Sequence, residues 1–478
     1  MTLQPALTLL DDQGIQRLHS AATEILDGTG LNVHHPDMRR RLAAAGAKMG
    51  EELRVRMPPE MVDRALETAA GNVVLHDRAG RPSMTLSSGR IYFGTGSDLV
   101  YTLDAETGQR RPSVLRDVER SARLCDALEE LDFLMSFALP GDVTGEDVEP
   151  QQYYAMVSNS TKPVIMTSFS GLDVLERQHA MACAVAGSDD AFRRCPNTIL
   201  YSQFVSPLQH DRLAVERLMF CADHEVPLIY VATIMPGASG PITLAGSLAL
   251  AVAECLAGLV MHQLQHPGAP FIFGGCVSQL DMRTMLYPYG SPEWRLSDLA
   301  LAELARHYGL PVFGTASATD SKKVDAQAGA EYASSLLVAA MAGTNLIHDV
   351  GYLDSGLTGS LESIVLGAER IRWVKRFLAG TEMSDEALAL DAIDGVGPGR
   401  QFLDHDHTIE HLRKTVWNPY VTDRDGYDRW VSEGSRDYAA RARGYAEDLV
   451  SSHQPQQLDA GLDAELRTLC RLTERPFR

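Results

Sequence analysis

The sequence PVFGTASATDSKKVDAQAGAEYASSLLVAAMAGTNLIHDVGYLDSG, residues 311–356, decides the fold of this chain. A short apolar run, Pro311 to Phe313, precedes a loop of small and charged residues. An alanine-rich helical segment follows from about Ala326 to Met341, Gly343 stops it, and a second apolar run ends in His348-Asp349. This pattern indicates one strand–helix–strand unit with polar residues where the strands end. Because ligands of parallel α/β folds bind at that end, the stretch predicts an architecture and a site.

The same unit recurs from about residue 113, with apolar runs roughly every 30–45 residues and helical patterns between them. Several runs follow a proline, which fits the first residue of a strand because no ladder hydrogen bond is lost there. The runs are Phe133–Ser136, Val164–Ser168, Thr198–Ser202, Leu228–Thr233, Phe271–Gly275, Val312–Thr315 and Leu346–Asp349.

Seven such runs predict an α/β fold of the TIM (β/α)8 barrel type, with one strand still to be found. The eighth strand lies in Leu388–Ile393 or is replaced by irregular chain. An open doubly wound sheet is the alternative fold. The even spacing and the lack of a G-x-G-x-x-G helix start favour the barrel.

Three segments follow from this reading. Residues 1–115 combine two amphipathic helical patterns, Asp11 to Thr29 and Pro58 to Ala70, with short alternating β-like pieces, and we interpret them as an N-terminal helical and β cap. Residues 116–390 are the predicted catalytic barrel. Residues 391–478 are polar and rich in charges, which indicates a C-terminal helical extension that wraps the barrel or forms an oligomer.

The net charge of the chain restricts the kinds of partner that it can bind. A formal net charge of −20 argues against nucleic acid and against anionic membranes, since both need a basic surface. The longest apolar stretch, Leu244 to Met261, contains Glu254 and predicts a buried helix. The N-terminus has no secretory signal, and the seven cysteines are dispersed without a C-x-x-C pair. We therefore expect a cytoplasmic protein with reduced thiols.

If the barrel is right, the strand ends bring together a set that is rich in aromatic residues and poor in acids. Aromatic faces attract a quaternary ammonium group through their quadrupole. Core packing is the alternative for each single ring. The predicted catalytic residues are His348, Asp320 and Lys322. The predicted substrate-binding residues are Phe137, Phe169, Tyr201, Gln203, Phe204, Phe273, Arg283, Tyr352 and Asp349.

Other clusters have two interpretations each. The loop from Asp281 to Trp294 packs Tyr287, Tyr289 and Trp294 together, and either shapes the pocket or packs between helices. The His405-x-His407 pair resembles a metal-ligand pair but lacks an obvious third ligand, so we predict no metal site. P-loop, G-x-S-x-G and H-E-x-x-H motifs are all missing, and hydrolysis by a serine or zinc centre gains no support.

Five segments together resemble the trimethylamine–corrinoid protein methyltransferase family, over about residues 10–425. They are RIYFGTGSD…VYTLD, TGQRRPSVLRDVERSARL, TDSKKVDAQAG, AGTNLIHDVGYLDSG and VGPGRQFLDHDHT. The resemblance implies a TIM barrel that moves a methyl group from an amine to the cobalt of a corrinoid (cobalamin) carried by a separate protein, with no tightly bound cofactor of its own. The trimethylamine enzymes carry a pyrrolysine, whereas every position here is a standard residue.

The resemblance therefore implies the pyrrolysine-free branch, which acts on quaternary amines such as glycine betaine. A betaine carboxylate would need donors, for which His348, Lys322, Arg283 and Arg295 are candidates. Three alternatives stay open: a non-catalytic betaine- or amine-binding barrel, a trimethylamine methyltransferase that acts without pyrrolysine, and a metal-dependent lyase or hydrolase using His405 and His407. The extension and the chain length also predict a homo-oligomer.

Overall fold

Seven parallel strands form the central sheet of the computed structural model, which describes residues 2–3 and 5–472. Their order across the sheet is β2-β3-β4-β5-β6-β7-β1, and every neighbouring pair runs parallel. The central strands are buried along their whole length, as expected for a parallel sheet covered on both faces. The strands are β1 (Tyr92–Thr95), β2 (Val164–Thr167), β3 (Thr198–Gln203), β4 (Leu228–Ile234), β5 (Phe271–Val277), β6 (Val312–Thr315) and β7 (Leu346–Val350).

Each strand leads into a helix, so the predicted strand–helix rhythm is confirmed for six of the seven runs, whereas Phe133–Ser136 forms only isolated bridges and is not a strand of the sheet. One further helix, α2, follows Phe133 and Leu134, which form single parallel bridges to Gly94 in β1 and Val164 in β2. The helices are α1 (Leu115–Ala127), α2 (Val148–Asn159), α3 (Leu172–Ala186), α4 (Arg212–His224), α5 (Leu244–Gln265), α6 (Pro292–Tyr308), α7 (Ala326–Ala342) and α8 (Leu361–Leu378).

The expected eighth strand at Leu388–Ile393 is wrong. That segment is helical, in Asp385–Leu388 and Leu390–Val396. The additional strand of the sheet is β1, inside the segment assigned to the N-terminal cap, and it pairs with β7. Its glycine permits the close approach of the next segment, because a Cβ on Gly94 would lie 2.3 Å from the ring of Phe133. The hairpin Tyr101–Leu103/Arg110–Pro112 separates β1 from α1, so the sequence does not show that β1 and α1 form a strand–helix unit.

Local sequence fixes where the helices begin and end. The Asp325 side chain caps α7 by accepting a hydrogen bond from the Ala328 amide, and Gly343 ends the helix with a φ of 76°. The Ser291 hydroxyl caps α6 in the same way, with Pro292 at its first position. The α7 boundary predicted from the sequence is therefore confirmed to within one residue.

Helix α5 is apolar on all sides. By length and composition it is the one helix in the described part of the chain that could cross a membrane, with a mean hydropathy of 2.0. Yet 83% of that window is buried inside the molecule, where α5 packs against β4, β5 and the N-terminal helix Asp12–Glu24. The prediction of a buried core helix is confirmed.

The remaining elements lie before, between and after the strand–helix units. The helices are Asp12–Glu24, Ile25–Thr29 (a π-helix), Pro36–Ala44, Pro59–Thr68, Gly145–Asp147 (a 3-10 turn), Asp189–Arg194, Asp406–Thr415, Tyr427–Ser432, Tyr438–Ser452 and Ala460–Leu469. The short strands are Thr2–Leu3, Leu31–Val33, Lys48–Met49, Arg54–Arg56, Val73–His76, Pro82–Leu86, Gln209–His210, Tyr352–Leu353, Thr358–Gly359 and Thr381–Glu382.

Candidate active site

A cavity of about 470 Å³ opens where the parallel strands end at their carboxyl side. Strands β1 to β5 and β7 contribute to its lining, either directly or through the segment that follows each of them. This is the position at which parallel α/β folds bind their ligands. The lining comprises Ser97, Asp98, Thr167, Ser168, Phe169, Tyr201, Ser202, Gln203, Arg217, Thr233, Cys276, Tyr287, Tyr289, Trp294, His348, Asp349, Tyr352 and Gly356.

One wall of the cavity is aromatic. The rings of Tyr289 and Trp294 lie 4.4 Å apart between centroids, Tyr287 and Trp294 4.9 Å apart, and Tyr289 and Tyr352 6.3 Å apart. The carboxylate of Asp320 fixes this wall, because it accepts hydrogen bonds from the backbone amides of Tyr289 at 2.8 Å and Gly290 at 2.9 Å. The pocket-shaping interpretation of the 281–294 loop is therefore correct.

The His348–Asp349 pair lines the same cavity and is buried. His348 Nδ1 lies 2.8 Å from the carbonyl oxygen of Gly314, which only accepts, so Nδ1 carries the proton and Nε2 faces Asp349 Oδ1 at 3.2 Å. Burial lowers the pKa of His348 to about 4 and raises the pKa of Asp349 well above its usual range. Burial therefore disfavours charge on both members of the pair.

The backbone at Gly96 makes room for this arrangement. A Cβ there would lie 2.3 Å from Asp349 Oδ1 and 2.3 Å from the hydroxyl oxygen of Tyr352. The Tyr352 hydroxyl donates to the carbonyl oxygen of Ser97, so the same turn also holds the aromatic wall. Asp349 itself has a φ of 77°, a conformation that an L residue rarely adopts outside functional or tightly constrained positions.

The opposite wall is lined by hydroxyl groups. Ser168, Ser202 and Thr233 follow or belong to the neighbouring strands β2, β3 and β4. Their side-chain oxygens are buried and have no hydrogen-bond partner among the described residues. Because buried hydroxyl groups ordinarily find partners, three such groups facing one cavity indicate a polar ligand on this side.

The structure brings together half of the predicted site residues. Those that line the cavity are Phe169, Tyr201, Gln203, His348, Asp349 and Tyr352. Asp320, Lys322 and Arg283 instead line an adjoining charged groove, with Lys322 67% exposed near Asp354. Arg295 is engaged beneath the cavity with Asp298 at 3.0 Å.

Three predicted binding residues do not line the cavity. Phe137 packs where Gly351 and Gly359 leave space, and Phe204 stacks on His210 at 4.5 Å. Phe273 faces Tyr308 at 5.9 Å. All three belong to the main hydrophobic core. Successive strand residues point to opposite faces of the sheet. A ring one position earlier or later in the strand therefore packs under the helices instead of lining the cavity.

Sequence reasoning missed two charged lining residues. Asp98 accepts hydrogen bonds from the Ser136 hydroxyl and the Gln152 amide, both at 2.9 Å, and its G-T-G-S-D turn was assigned to the cap. Arg217 lies on α4, where a charged helical residue ordinarily faces solvent, and no pattern in the sequence marks it.

Potential metal ligands lie elsewhere. His405 caps a helix through its ring nitrogen and His407 stacks on His411, but among the described residues the ligand atoms of these three histidines do not all lie within 4.8 Å of one another. Within residues 2–3 and 5–472, a His/Cys/Asp cluster suited to a metal occurs only at His179, Cys183 and Asp189, on outer helices. Burial raises the pKa of Cys276, the cavity's thiol, to about 12, so it is not a thiolate nucleophile.

These features define a class: α/β proteins with a curled parallel sheet, a helix after each strand, and a small-molecule site at the carboxyl ends of the strands. Within that class, the chain belongs to the trimethylamine methyltransferase (MTTB) family, whose sequence pattern matches residues 2–474. The family resemblance seen in the sequence motifs is thereby confirmed.

Individual relatives agree with this assignment. The chain is 30% identical over 464 residues to trimethylamine methyltransferase MttB of Desulfitobacterium hafniense (strain DSM 10664 / DCB-2), covering 97% of this chain and 93% of that protein. It is also 30% identical over 469 residues to the glycine betaine methyltransferase of D. hafniense (strain Y51), covering 97% of each. The crystal structure of Methanosarcina barkeri monomethylamine methyltransferase (MtmB) superposes with a TM-score of 0.53 at 10% identity, over 94% of this chain and 89% of that one, which shows a shared fold.

Proposed function

We propose that this chain is a methyltransferase that moves a methyl group from a quaternary amine resembling glycine betaine to the Co(I) centre of a corrinoid carried by a separate protein. The observation that carries the proposal is the cavity itself, in which an aromatic wall stands beside the buried His348–Asp349 pair. Family membership supplies the reaction class, and relatives named for both trimethylamine and glycine betaine support a methylated amine as the donor.

The uncharged wall suits the chemistry of the donor. Co(I) attacks the methyl carbon, the cobalt–carbon bond forms, and the electron pair of the broken C–N bond stays on nitrogen, which leaves as a neutral tertiary amine. No general acid is required. Because positive charge is lost from nitrogen, a carboxylate against it would stabilise the substrate more than the transition state. Aromatic rings bind the cation with less of that penalty.

The corrinoid is a substrate in this scheme and arrives on its partner protein. Exposed apolar side chains around the cavity mouth support a protein surface docking there. They come from four successive loops and include Phe169, Val205, Ile242 and Met285, the last 66% exposed. Ile242 and Met282 meet across Gly237, so the patch is continuous between two of the loops. Patches of this kind on soluble proteins mark interaction sites.

We further propose that the sheet closes as an eight-stranded TIM barrel, with Phe133 and Leu134 as the short eighth strand between β1 and β2. Their parallel bridges to both edge strands support this closure. A capping segment at residues 1–115 and a helical extension at 391–478 would then flank a catalytic unit at 116–390 that takes β1 from the cap.

A homo-oligomer is proposed from the C-terminal part. Half of the exposed large apolar side chains of the described chain lie between Trp373 and Val431. This patch begins at the end of α8, where Lys375 lies 3.5 Å from Asp132, directly before the Phe133 segment and far from the cavity mouth. A second copy could cover it without blocking the corrinoid partner.

A cytoplasmic location is proposed because all seven cysteines are free and Co(I) needs a reducing compartment.

The proposed function is tested by measuring the conversion of glycine betaine to dimethylglycine. Purified protein is incubated with glycine betaine and a corrinoid protein reduced to Co(I), and the products are followed by proton NMR. We expect dimethylglycine in proportion to methylated corrinoid, and no product when the corrinoid protein is omitted. Binding of glycine betaine without any demethylation across several corrinoid proteins would favour the non-catalytic betaine-binding alternative.

A matched pair of variants tests the aromatic lining of the cavity. Phe169 lines the cavity and is half-exposed, so Phe169→Leu removes a ring without opening the core. We expect its KM for the amine to rise about 3- to 30-fold, the range of a cation–π contact. Phe402, equally accessible but distant from the cavity, provides the control variant Phe402→Leu, whose KM should equal that of the wild type.

A further inference from the structure

The guanidinium group of Arg217 makes no hydrogen bond or ion pair with the residues that the structure describes. The residue is only 9% exposed, it lines the cavity, and its Nε is buried without a hydrogen bond. No carboxylate oxygen of the described residues lies within 4.0 Å of its nitrogens. Arg177 and Arg295, which are similarly buried, each contact an aspartate, at 2.9 Å and 3.0 Å. A buried, unpaired guanidinium is costly, so its presence calls for an anion that is supplied from outside the chain.

The residues around Arg217 also indicate that an anion binds here. Arg217 lies on α4, directly after β3, and the orphaned hydroxyl oxygens of Ser168, Ser202 and Thr233 come from β2, β3 and β4 on the same side of the cavity. Each hydroxyl can donate one hydrogen bond, and a guanidinium binds a carboxylate through two parallel bonds. This side of the cavity therefore supplies hydrogen-bond donors beside the rings of Phe169 and Tyr201, whereas the other side is built mainly from aromatic rings.

We propose that Arg217 and these hydroxyl groups form a carboxylate-binding subsite, so that the methyl donor is a zwitterion with a carboxylate beside its quaternary ammonium group. The inference rests on the proposed function for the ammonium end of the ligand. It also corrects the sequence-based choice of anion donors, since Lys322 and Arg283 lie in the adjoining groove and Arg295 is already paired.

The carboxylate keeps its charge throughout methyl transfer. Its contact with Arg217 is equally strong in the substrate and in the transition state, so the residue contributes to KM and not to kcat. Arg217 is thus a specificity-determining residue: it selects a betaine over an amine that carries the same ammonium group without the acid.

Three ligands separate the two halves of the site in calorimetric titrations of the full chain. Glycine betaine carries both groups, choline carries the same trimethylammonium head with a neutral hydroxyl, and 3,3-dimethylbutanoate carries the carboxylate with carbon in place of nitrogen. We expect the wild type to bind glycine betaine at least about tenfold more tightly than choline, as for a charge-assisted hydrogen-bonded pair. We expect it to bind 3,3-dimethylbutanoate as well.

Substitution then identifies the residue. Arg217→Gln should weaken glycine betaine about 10- to 100-fold, abolish 3,3-dimethylbutanoate binding and leave choline unchanged, and Arg217→Lys should restore part of the loss. Arg212, on the same helix, pairs with Glu216 at the surface, so Arg212→Gln is the matched control and should change none of the three affinities. The thermal midpoint of each variant shows that it is folded.

The outcomes distinguish this inference from the proposed function. If choline binds as tightly as glycine betaine, or if Arg217→Gln weakens all ligands equally, the carboxylate subsite is refuted while the aromatic cage stands. If 3,3-dimethylbutanoate binds through Arg217 but choline does not bind, the cage fails and the subsite stands. Binding of none of the three overturns both.

Discussion

Substitution of Gly96 by alanine tests the geometry of the site most sharply. The added methyl group would lie 2.3 Å from Asp349 Oδ1 and from both Cζ and the hydroxyl oxygen of Tyr352. Ordinary contact begins at 3.4 Å, so these atoms must retreat by about 1.1 Å. The φ of Gly96 lies outside the left-handed region, so the effect is steric and leaves the backbone free of strain.

A displacement of about 1 Å at a positioned site costs roughly 100-fold in rate. We therefore expect Gly96→Ala to lower kcat for methyl transfer about 100-fold, and overpacking to reduce the free energy of unfolding by about 1–3 kcal/mol. The rate is measured with corrinoid protein in excess, and stability by urea titration. Gly329→Ala, on α7 with open space around it, is the control and should keep the wild-type rate. A Gly96→Ala enzyme with wild-type kcat would refute the assignment of Asp349 and Tyr352 to the reacting site.

Three further predictions concern the fold and the walls of the site. Gly258→Ala places a methyl group 2.3 Å from the buried ring of Tyr230 and should cost about 1–3 kcal/mol in urea titration; an unchanged midpoint would contradict the packing of α5 on β4. Burial raises the pKa of Glu254 from 4.5 to about 7, so the folded state holds a proton that the unfolded state releases, and stability falls as pH rises through that window. Between pH 4.5 and 7.5 the free energy of unfolding of Glu254→Gln should fall by about 3 kcal/mol less than that of the wild type. If the two pH profiles are parallel, Glu254 is in contact with water and the account of its burial is wrong. Asp320→Ala removes the acceptor that holds the Tyr289 amide at 2.8 Å and should raise the amine's KM about tenfold with little change in Tm; a large drop in Tm with an unchanged KM would make Asp320 purely structural.

Most strands of the sheet could be predicted because their local sequence patterns are distinctive. Runs such as Phe271–Val277 are continuously apolar and buried, and a glycine such as Gly343 ends the helix before the next strand. A short β-like piece was predictable at β1, but its membership in the central sheet was not, because its four residues include a glycine and a threonine and a hairpin separates it from α1. Its place in the sheet depends on pairing with β7, more than 240 residues away, which no local pattern encodes.

The position of the cavity was predictable from the sequence, and the residues that line it were less so. Aromatic residues at strand ends indicated a cation site, and Tyr201 and Tyr352 do line the cavity. Whether a ring faces the cavity or the helices depends on strand register, and Phe204 and Phe273 fall on the other side. Arg217 escaped because burial of a helical arginine depends on how α4 packs over β3, which is a tertiary property.

The central claim is methyl transfer to cobalt, and a single-turnover absorbance measurement tests it most directly. Enzyme, glycine betaine and one equivalent of Co(I) corrinoid protein are mixed without oxygen, and the cobalt spectrum is followed with time. The account predicts conversion of Co(I) to methyl-Co(III), one dimethylglycine formed per cobalt, and dependence of the rate on enzyme concentration. A Co(I) spectrum that persists, with a corrinoid protein shown to accept methyl groups from another methyltransferase, would contradict it.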